Sequence, residues 1–127
     1  MQKKHLYEYV VIRVFPRVES GEFVNVGLLL FCKRQKYLRA QIKCDENRLK
    51  PYKSELDFEQ LKANLLSFEK IAKSEKSGGP IAQLETSERF RWLSAVRSSC
   101  IQTSRPHSGF TDDLDATFDQ LFSEYII

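Results

Sequence analysis

The residues that most often build metal and cofactor sites are scarce in this sequence. Only two of the 127 residues are histidine and three are cysteine. The cysteines are widely spaced, odd in number and form no Cys-x-x-Cys pair, a pattern typical of reduced structural thiols. Neither Gly-x-x-x-x-Gly-Lys nor Gly-x-Gly-x-x-Gly occurs, which argues against nucleotide binding of the P-loop or Rossmann kind. We therefore expect no cofactor and no metal.

Long hydrophobic runs and a signal peptide are missing as well. The longest apolar stretch, VNVGLLLFC, is about half of the roughly 20 residues that span a bilayer and contains an asparagine. Behind the N-terminal lysines, Glu8 and Arg13 interrupt the apolar residues, and no small-residue cleavage site follows. We expect a cytoplasmic protein that does not bind a membrane. Its length and its 42% hydrophobic content predict a single globular domain over residues 1–127.

The net charge of +3 hides an uneven distribution. Residues 1–105 hold all 20 lysines and arginines with 12 acidic residues, whereas residues 106–127 hold five acidic residues and no basic one. A basic body can bind nucleic acid or another anion, but an acidic tail can also fold over that body and neutralise it. We favour a solvated surface of mixed charge over either of these.

The first third of the chain predicts strands. Residues 6–15 alternate with a period of two, and residues 23–33 place apolar side chains on both faces, which predicts a central strand. Residues 37–43 predict a third strand. The connections are too short for parallel crossovers, so an antiparallel meander is expected.

The pattern then becomes helical, and a strand is expected again over Ala95–Ser104. A helix capped by Asp57 repeats apolar residues at three- and four-residue spacing, with Gln60 at the capping-box position. Strands before and after a helical middle predict an α+β fold with a sheet of about four strands packed by helices. The expected helix caps are Asp45, Asp57, Thr86 or Ser87, and Asp112 or Asp113.

Three segments resemble a known family when they are taken together. They are YEYVVIRVFPRVESGEFVNVGLLLFC, GPIAQLETSERFRWLSAVRSSCIQTS and HSGFTDD, and they resemble the domain-of-unknown-function family numbered 3037, a group of small bacterial proteins. The resemblance runs from Tyr7 to about Phe122. It implies no activity, because none is established for the family. It does imply gene neighbours that resemble the kinase of HipA-type toxin modules, and therefore a protein partner in a toxin–antitoxin setting. The matching positions are Arg13, Pro16, Arg17, Glu22, Asn25, Gly27, Glu88, Arg89, Trp92, Arg97, His107, Gly109, Asp112 and Asp113.

Arg13 and Asn25 are expected to lie opposite each other in the first hairpin, on faces that are otherwise apolar. Both need partners, because an unpaired guanidinium is costly to bury. One hypothesis is an anion-binding floor in which Arg13 and Arg97 hold a phosphate or carboxylate. The hypothesis we favour is a bridge from Arg13 to an internal acid such as Glu88, with Asn25 satisfying backbone groups. Gly27 predicts a bulge or a close packing contact.

The stretch SERFRWLSAVRSS combines arginines with Trp92. Such a cluster can be a hot spot for protein binding or a surface that stacks bases. Trp92 can equally complete the core with arginines around it, and we favour this structural interpretation.

The stretch RPHSGFTDD (residues 105–113) is expected to form a polar loop before the last helix. Its two aspartates are explained as caps of that helix. His107 is not, because a turn needs the glycine but not the imidazole. His107 can form a general-base pair with Asp112 or Asp113, or a hard-metal site with Glu88. No serine or cysteine nucleophile is recognisable from its context.

These observations lead to a hypothesis of binding rather than catalysis, although whether the protein is an enzyme stays open. We expect an accessory or regulatory partner of another bacterial protein, such as a HipA-like kinase. The alternative is a metal-dependent enzyme acting on nucleic acid or a nucleotide, and a third possibility is nucleic-acid binding by the basic body. Ile126 and Ile127 either seal the domain or form a homodimer contact. The expected binding residues are Arg13, Arg17, Asn25, Trp92, Arg97, His107 and Gly109, and the catalytic candidates are His107, Asp112, Asp113 and Glu88.

Overall fold

The computed structural model describes residues 4–52, 57–95 and 100–126. It has an α+β fold with an antiparallel sheet, as predicted. The strands are β1 (His5–Val14), β2 (Val24–Cys32), β3 (Tyr37–Ile42), β4 (Ile101–Thr103) and β5 (His107–Thr111). The helices are α1 (Glu46–Leu49), α2 (Phe58–Ala72), α3 (Thr86–Leu93) and α4 (Leu114–Tyr125). Within the described ranges, no helix has the length and apolar content needed to cross a membrane.

The sheet is a meander to which two short strands are added at one edge. The strand order is β3-β2-β1-β4, and β5 also pairs with β1. The predicted hairpins β1–β2 and β2–β3 are confirmed, and so is the interior position of β2. Along the other side of β1, β4 pairs with residues 12–14 and β5 with residues 5–9. The two short strands therefore share one edge of the sheet.

Each face of the sheet is covered by helices. The α2 face, as we call it, is covered by α2 and α3 and contains Val10 and Ile12 of β1. The α4 face is covered by α4 and contains Val11 of β1, with Phe118 and Phe122 from the helix. Because side chains alternate along a strand, the even-numbered β1 residues belong to the α2 face and the odd-numbered ones to the α4 face.

Aspartate side chains begin three of the four helices. Asp45, Asp57 and Asp113 each accept a hydrogen bond from a backbone N–H in the first helical turn, which confirms these predicted caps. Gln60, at the predicted capping-box position, donates from its Nε2 to Asn64 Oδ1 at 3.0 Å. The predicted cap of α3 is wrong by a residue: the cap position is Glu85, whose side chain makes no capping hydrogen bond, and Thr86 is already helical.

The stretch predicted as a loop before α4 contains a strand. Residues 107–111 form β5 and pair with β1, although the serine, glycine and proline of this segment are typical of turns. The expected strand over residues 95–104 is observed as β4 alone, and residues 96–99 lie outside the described part. Between β4 and β5 the Ser104 hydroxyl accepts a hydrogen bond from the Val11 N–H at 2.9 Å.

Gly27 lies at a bulge in β2, as predicted. The pairing register shifts between Ile12, which faces Gly27, and Arg13, which faces Asn25. A Cβ atom at Gly27 would lie 2.8 Å from the Gln41 carbonyl oxygen. A larger residue would therefore push β2 and β3 apart.

Candidate functional site

Strand β5 presents different residues to the two faces of the sheet. His107 and Gly109 lie opposite Tyr9 and Tyr7 on the α4 face. Phe110 lies opposite Leu6 on the α2 face. His107 and Gly109, which the sequence analysis singled out, therefore face one side of the sheet, and Phe110 faces the other.

On the α4 face, β5 packs into a tyrosine cluster, which consists of Tyr7, Tyr9 and Tyr125. The His107 ring stacks on Tyr9 with 5.3 Å between the ring centroids. The Tyr9 and Tyr125 hydroxyl oxygens are 3.3 Å apart. Burial, followed by this hydrogen bond, raises the pKa of Tyr9 above its ordinary value. A Cβ atom at Gly109 would lie 2.5 Å from the Tyr7 hydroxyl oxygen, so the ring of Tyr7 occupies the space that a side chain would need.

The catalytic candidates are not brought together. Asp113 caps α4 beyond one end of β5, whereas His107 begins the strand at the other end. Four residues of a strand span about 13 Å, so neither Asp112 nor Asp113 can pair directly with His107. Glu88 is exposed on α3, which covers the α2 face. In the parts of the chain that the structure describes, no group of three histidine, cysteine, aspartate or glutamate side chains can hold a metal ion.

Arg13 and Asn25 lie opposite each other, as predicted, and form a small polar group at the end of α4. The Nε of Arg13 donates to Asn25 Oδ1 at 3.4 Å, and its guanidinium lies 4.2 Å from the centroid of the Phe23 ring. Burial lowers the pKa of Arg13. Asn25 donates to the Tyr125 carbonyl oxygen at 3.2 Å, so it satisfies a backbone group as expected.

The expected bridge between Arg13 and Glu88 is wrong. Arg13 belongs to the α4 face, and Glu88 lies on a helix that covers the α2 face. The sequence placed Arg13 correctly against its hairpin neighbour because that pairing is local. The sequence does not indicate on which face of the sheet the distant helix α3 packs.

Of the other predicted binding residues, Trp92 differs most from expectation. Its side chain is 45% exposed, whereas Phe90 and Leu93 form the buried side of α3. The prediction that Trp92 completes the core is therefore wrong. Arg17 is exposed in the turn after β1, and Arg97 lies outside the described residues. The catalytic or binding roles proposed for these residues stay predictions.

An open groove lies on the α2 face beyond the reach of the helices. It has a volume of about 560 Å³ and is lined by Lys4, Leu6, Lys33, Arg34 and Phe110. Leu6 is 54% exposed and Phe110 is 67% exposed. The sequence analysis missed this groove because it assigned Phe110 to a loop. No local pattern marks it, because the strand character of residues 107–111 comes from pairing with the distant strand β1.

The sequence profile of the DUF3037 family, described as a protein of unknown function, matches residues 9–126. The chain belongs to the DUF3037 family. The match covers nearly the whole chain and confirms the resemblance found in the three segments. Neither the curated proteins nor the solved structures contain a significant match. Because the DUF3037 description assigns no activity, only the geometry of the chain can indicate one.

Several positions that carry the DUF3037 resemblance have structural roles. The buried guanidinium of Arg89 donates to the Ile71 and Ala72 carbonyl oxygens, each at 2.8 Å. It thereby satisfies carbonyl groups at the C-terminal end of α2, which lack partners within the helix. Gly109 makes room for Tyr7, and Asp113 caps α4. These roles explain the residues without a ligand.

Proposed function

We propose that this protein acts by binding another protein, and that the groove at Leu6 and Phe110 is the contact surface. The observation that carries the proposal is the exposure of these two large apolar side chains side by side on neighbouring strands. Single exposed apolar side chains are common, but contiguous ones with a polar border are typical of interaction sites. Here Lys4, Lys33 and Arg34 supply that border.

The edge of the sheet gives further support. The other edge strand, β3, carries Arg39, and its Ile42 N–H donates to the Glu69 carboxylate of α2 at 3.0 Å. Charges and covering helices are the usual protection of edge strands against pairing with other chains. Strand β5 contains no lysine, arginine or carboxylate. Its edge therefore presents less resistance to a partner than that of β3.

The enzyme hypothesis has less support from the geometry. A general base must lie within hydrogen-bond reach of its partners, and His107 is separated from Asp112, Asp113 and Glu88 by the strand length or by the sheet. A role as an accessory or regulatory partner in the cytoplasm, with a HipA-like kinase as the first partner to test, rests on the sequence and the family resemblance.

The proposal is tested by isolating the tagged protein from its host and identifying what co-purifies. We expect a stoichiometric protein partner, and we expect Phe110→Ser to lose it. Leu66→Ser is the matched control, because Leu66 is another exposed apolar residue, at 48%, and lies on α2 away from the groove. Binding is then measured again with the purified partner. A partner that Phe110→Ser retains, or a preparation with no partner, contradicts the proposal.

A further inference from the structure

We infer that the groove accepts an acidic segment of the partner protein that carries an aromatic or long aliphatic anchor residue. This inference rests on the proposed function and adds the chemistry of the bound segment. It follows from the apolar floor, from the cations around it and from the absence, among the described residues, of an ion pair between these cations and a carboxylate.

The floor of the groove is apolar. Leu6 and Phe110 face each other across β1 and β5, where opposed side chains lie about 4.5–5.5 Å apart at their Cβ atoms. Both are more than half exposed. A single aromatic or branched side chain laid across this pair would remove both from water, which is the main source of affinity at such sites.

The border of the groove is cationic. Among the described residues we find no ion pair that joins Lys4, Lys33 or Arg34 to a carboxylate. Lys33 also lines two adjoining depressions, one beside Glu8 and the other beside Glu85. The three depressions together are lined by five exposed lysines and arginines, the buried Arg89 and two carboxylates. Carboxylates of a partner would complement this surface.

The acidic C-terminal part of the chain does not supply these carboxylates. Helix α4 packs on the opposite face of the sheet. Its Asp115 and Asp119 pair there with Arg39, at 3.3 and 3.4 Å. The less favoured possibility that the acidic tail folds over the basic body and neutralises it is met at Arg39 and not at the groove.

A second copy of the chain fits the groove less well than another protein. Its acidic helix α4 turns its large apolar residues, Phe118 and Phe122, into its own core. The partly exposed Tyr125 of that helix contacts Tyr9 in the tyrosine cluster, so the helix would offer carboxylates without a free aromatic anchor. Single-stranded nucleic acid also fits less well, because such sites stack successive bases on aromatic rings, and Leu6 has none.

The test selects peptides from a random display library on the folded wild-type protein and sequences those that bind. We expect the enriched peptides to combine several carboxylates with an aromatic or long aliphatic residue. The double variant Lys33→Glu/Arg34→Glu should bind these peptides at least about tenfold more weakly. Lys43→Glu/Arg48→Glu is the matched control, since it reverses two exposed charges outside the groove.

The outcomes separate this inference from the proposed function. Neutral or basic peptides that require Phe110 would overturn the inference and leave the proposed function intact. No enrichment, or enrichment that Phe110→Ser does not reduce, would count against both. A single-stranded oligonucleotide that displaces the peptide with steep salt dependence would replace the peptide with nucleic acid. Concentration-dependent self-association that Lys33→Glu/Arg34→Glu abolishes would identify a second copy as the occupant.

Discussion

Strand β5 is held firmly on one side and open on the other. On the α4 face, His107 and Gly109 contact the tyrosine cluster, and α4 covers the sheet beside them. On the α2 face, Phe110 lies next to Leu6 and is exposed to solvent. On the α4 face of β5, His107 and Gly109 therefore have a packing role, although the sequence suggested a chemical one. On the α2 face, the exposed apolar residues Leu6 and Phe110 are the candidates for binding.

The strongest test of this comparison uses one phenylalanine from each side. Phe118 of α4 is fully buried, so Phe118→Ala should lower the free energy of unfolding by about 3–5 kcal/mol. Phe110→Ala should change it by less than about 0.5 kcal/mol, since surface substitutions rarely do more. Urea denaturation measures both. A cost for Phe110→Ala close to that for Phe118→Ala would show that Phe110 belongs to the core.

The second test concerns the space between Gly109 and Tyr7. Gly109→Ala places a methyl group against the far end of the half-buried Tyr7 side chain, which must shift, and we expect a loss of about 1 kcal/mol of unfolding free energy. In the Tyr7→Ala background the same substitution should cost much less, because the clashing ring is gone. A double-mutant cycle measured by urea denaturation gives the coupling. Additive costs would mean that the ring does not explain the glycine.

Local patterns predicted most of the framework. The alternation in residues 6–15 and 23–33 and the aspartate caps of α1, α2 and α4 depend on near neighbours in sequence, and the structure confirms them. Strand β5 was missed because its strand character comes from pairing with β1, about a hundred residues earlier in the chain. The groove was missed for the same reason.

The structure does not bring the catalytic candidates together, because their positions in the sequence do not determine the distances between them. His107 and Asp113 are six positions apart, which is close in a loop. In an extended strand followed by a helix cap the same separation takes them to opposite ends of β5. The sequence showed that a histidine and carboxylates are present in this segment. Whether they lie within hydrogen-bond distance depends on the backbone conformation.

His107 provides a smaller test of the structural side. His107→Ala removes the ring that stacks on Tyr9 and should cost about 0.5–1 kcal/mol, as measured by denaturation. Partner binding should be unchanged, because His107 faces away from the groove. If divalent ions stabilise the wild type and this stabilisation disappears in His107→Ala, the result would favour the metal-dependent enzyme.

The smallest effect at neutral pH is expected at Tyr37, on the α4 face. Its hydroxyl donates to Asp115 at 2.6 Å, and burial, followed by this bond, raises its pKa to about 12. Because the pKa is higher in the folded than in the unfolded state, this tyrosine stabilises the fold fully below about pH 10 and loses that contribution as the pH rises towards about 12.

Tyr37→Phe should therefore cross the wild type in stability as the pH rises. At pH 8 the variant should be slightly less stable, because it lacks a hydrogen bond whose net contribution is about 1 kcal/mol or less in an exposed position. Above pH 10 the wild type should lose stability faster, since only its unfolded state releases the Tyr37 proton easily. Thermal denaturation from pH 8 to pH 11.5 compares the two slopes. Parallel slopes would show that the hydrogen bond from Tyr37 to Asp115 of α4 is not formed. The α4 face would then be packed less tightly at β3 than beside β5.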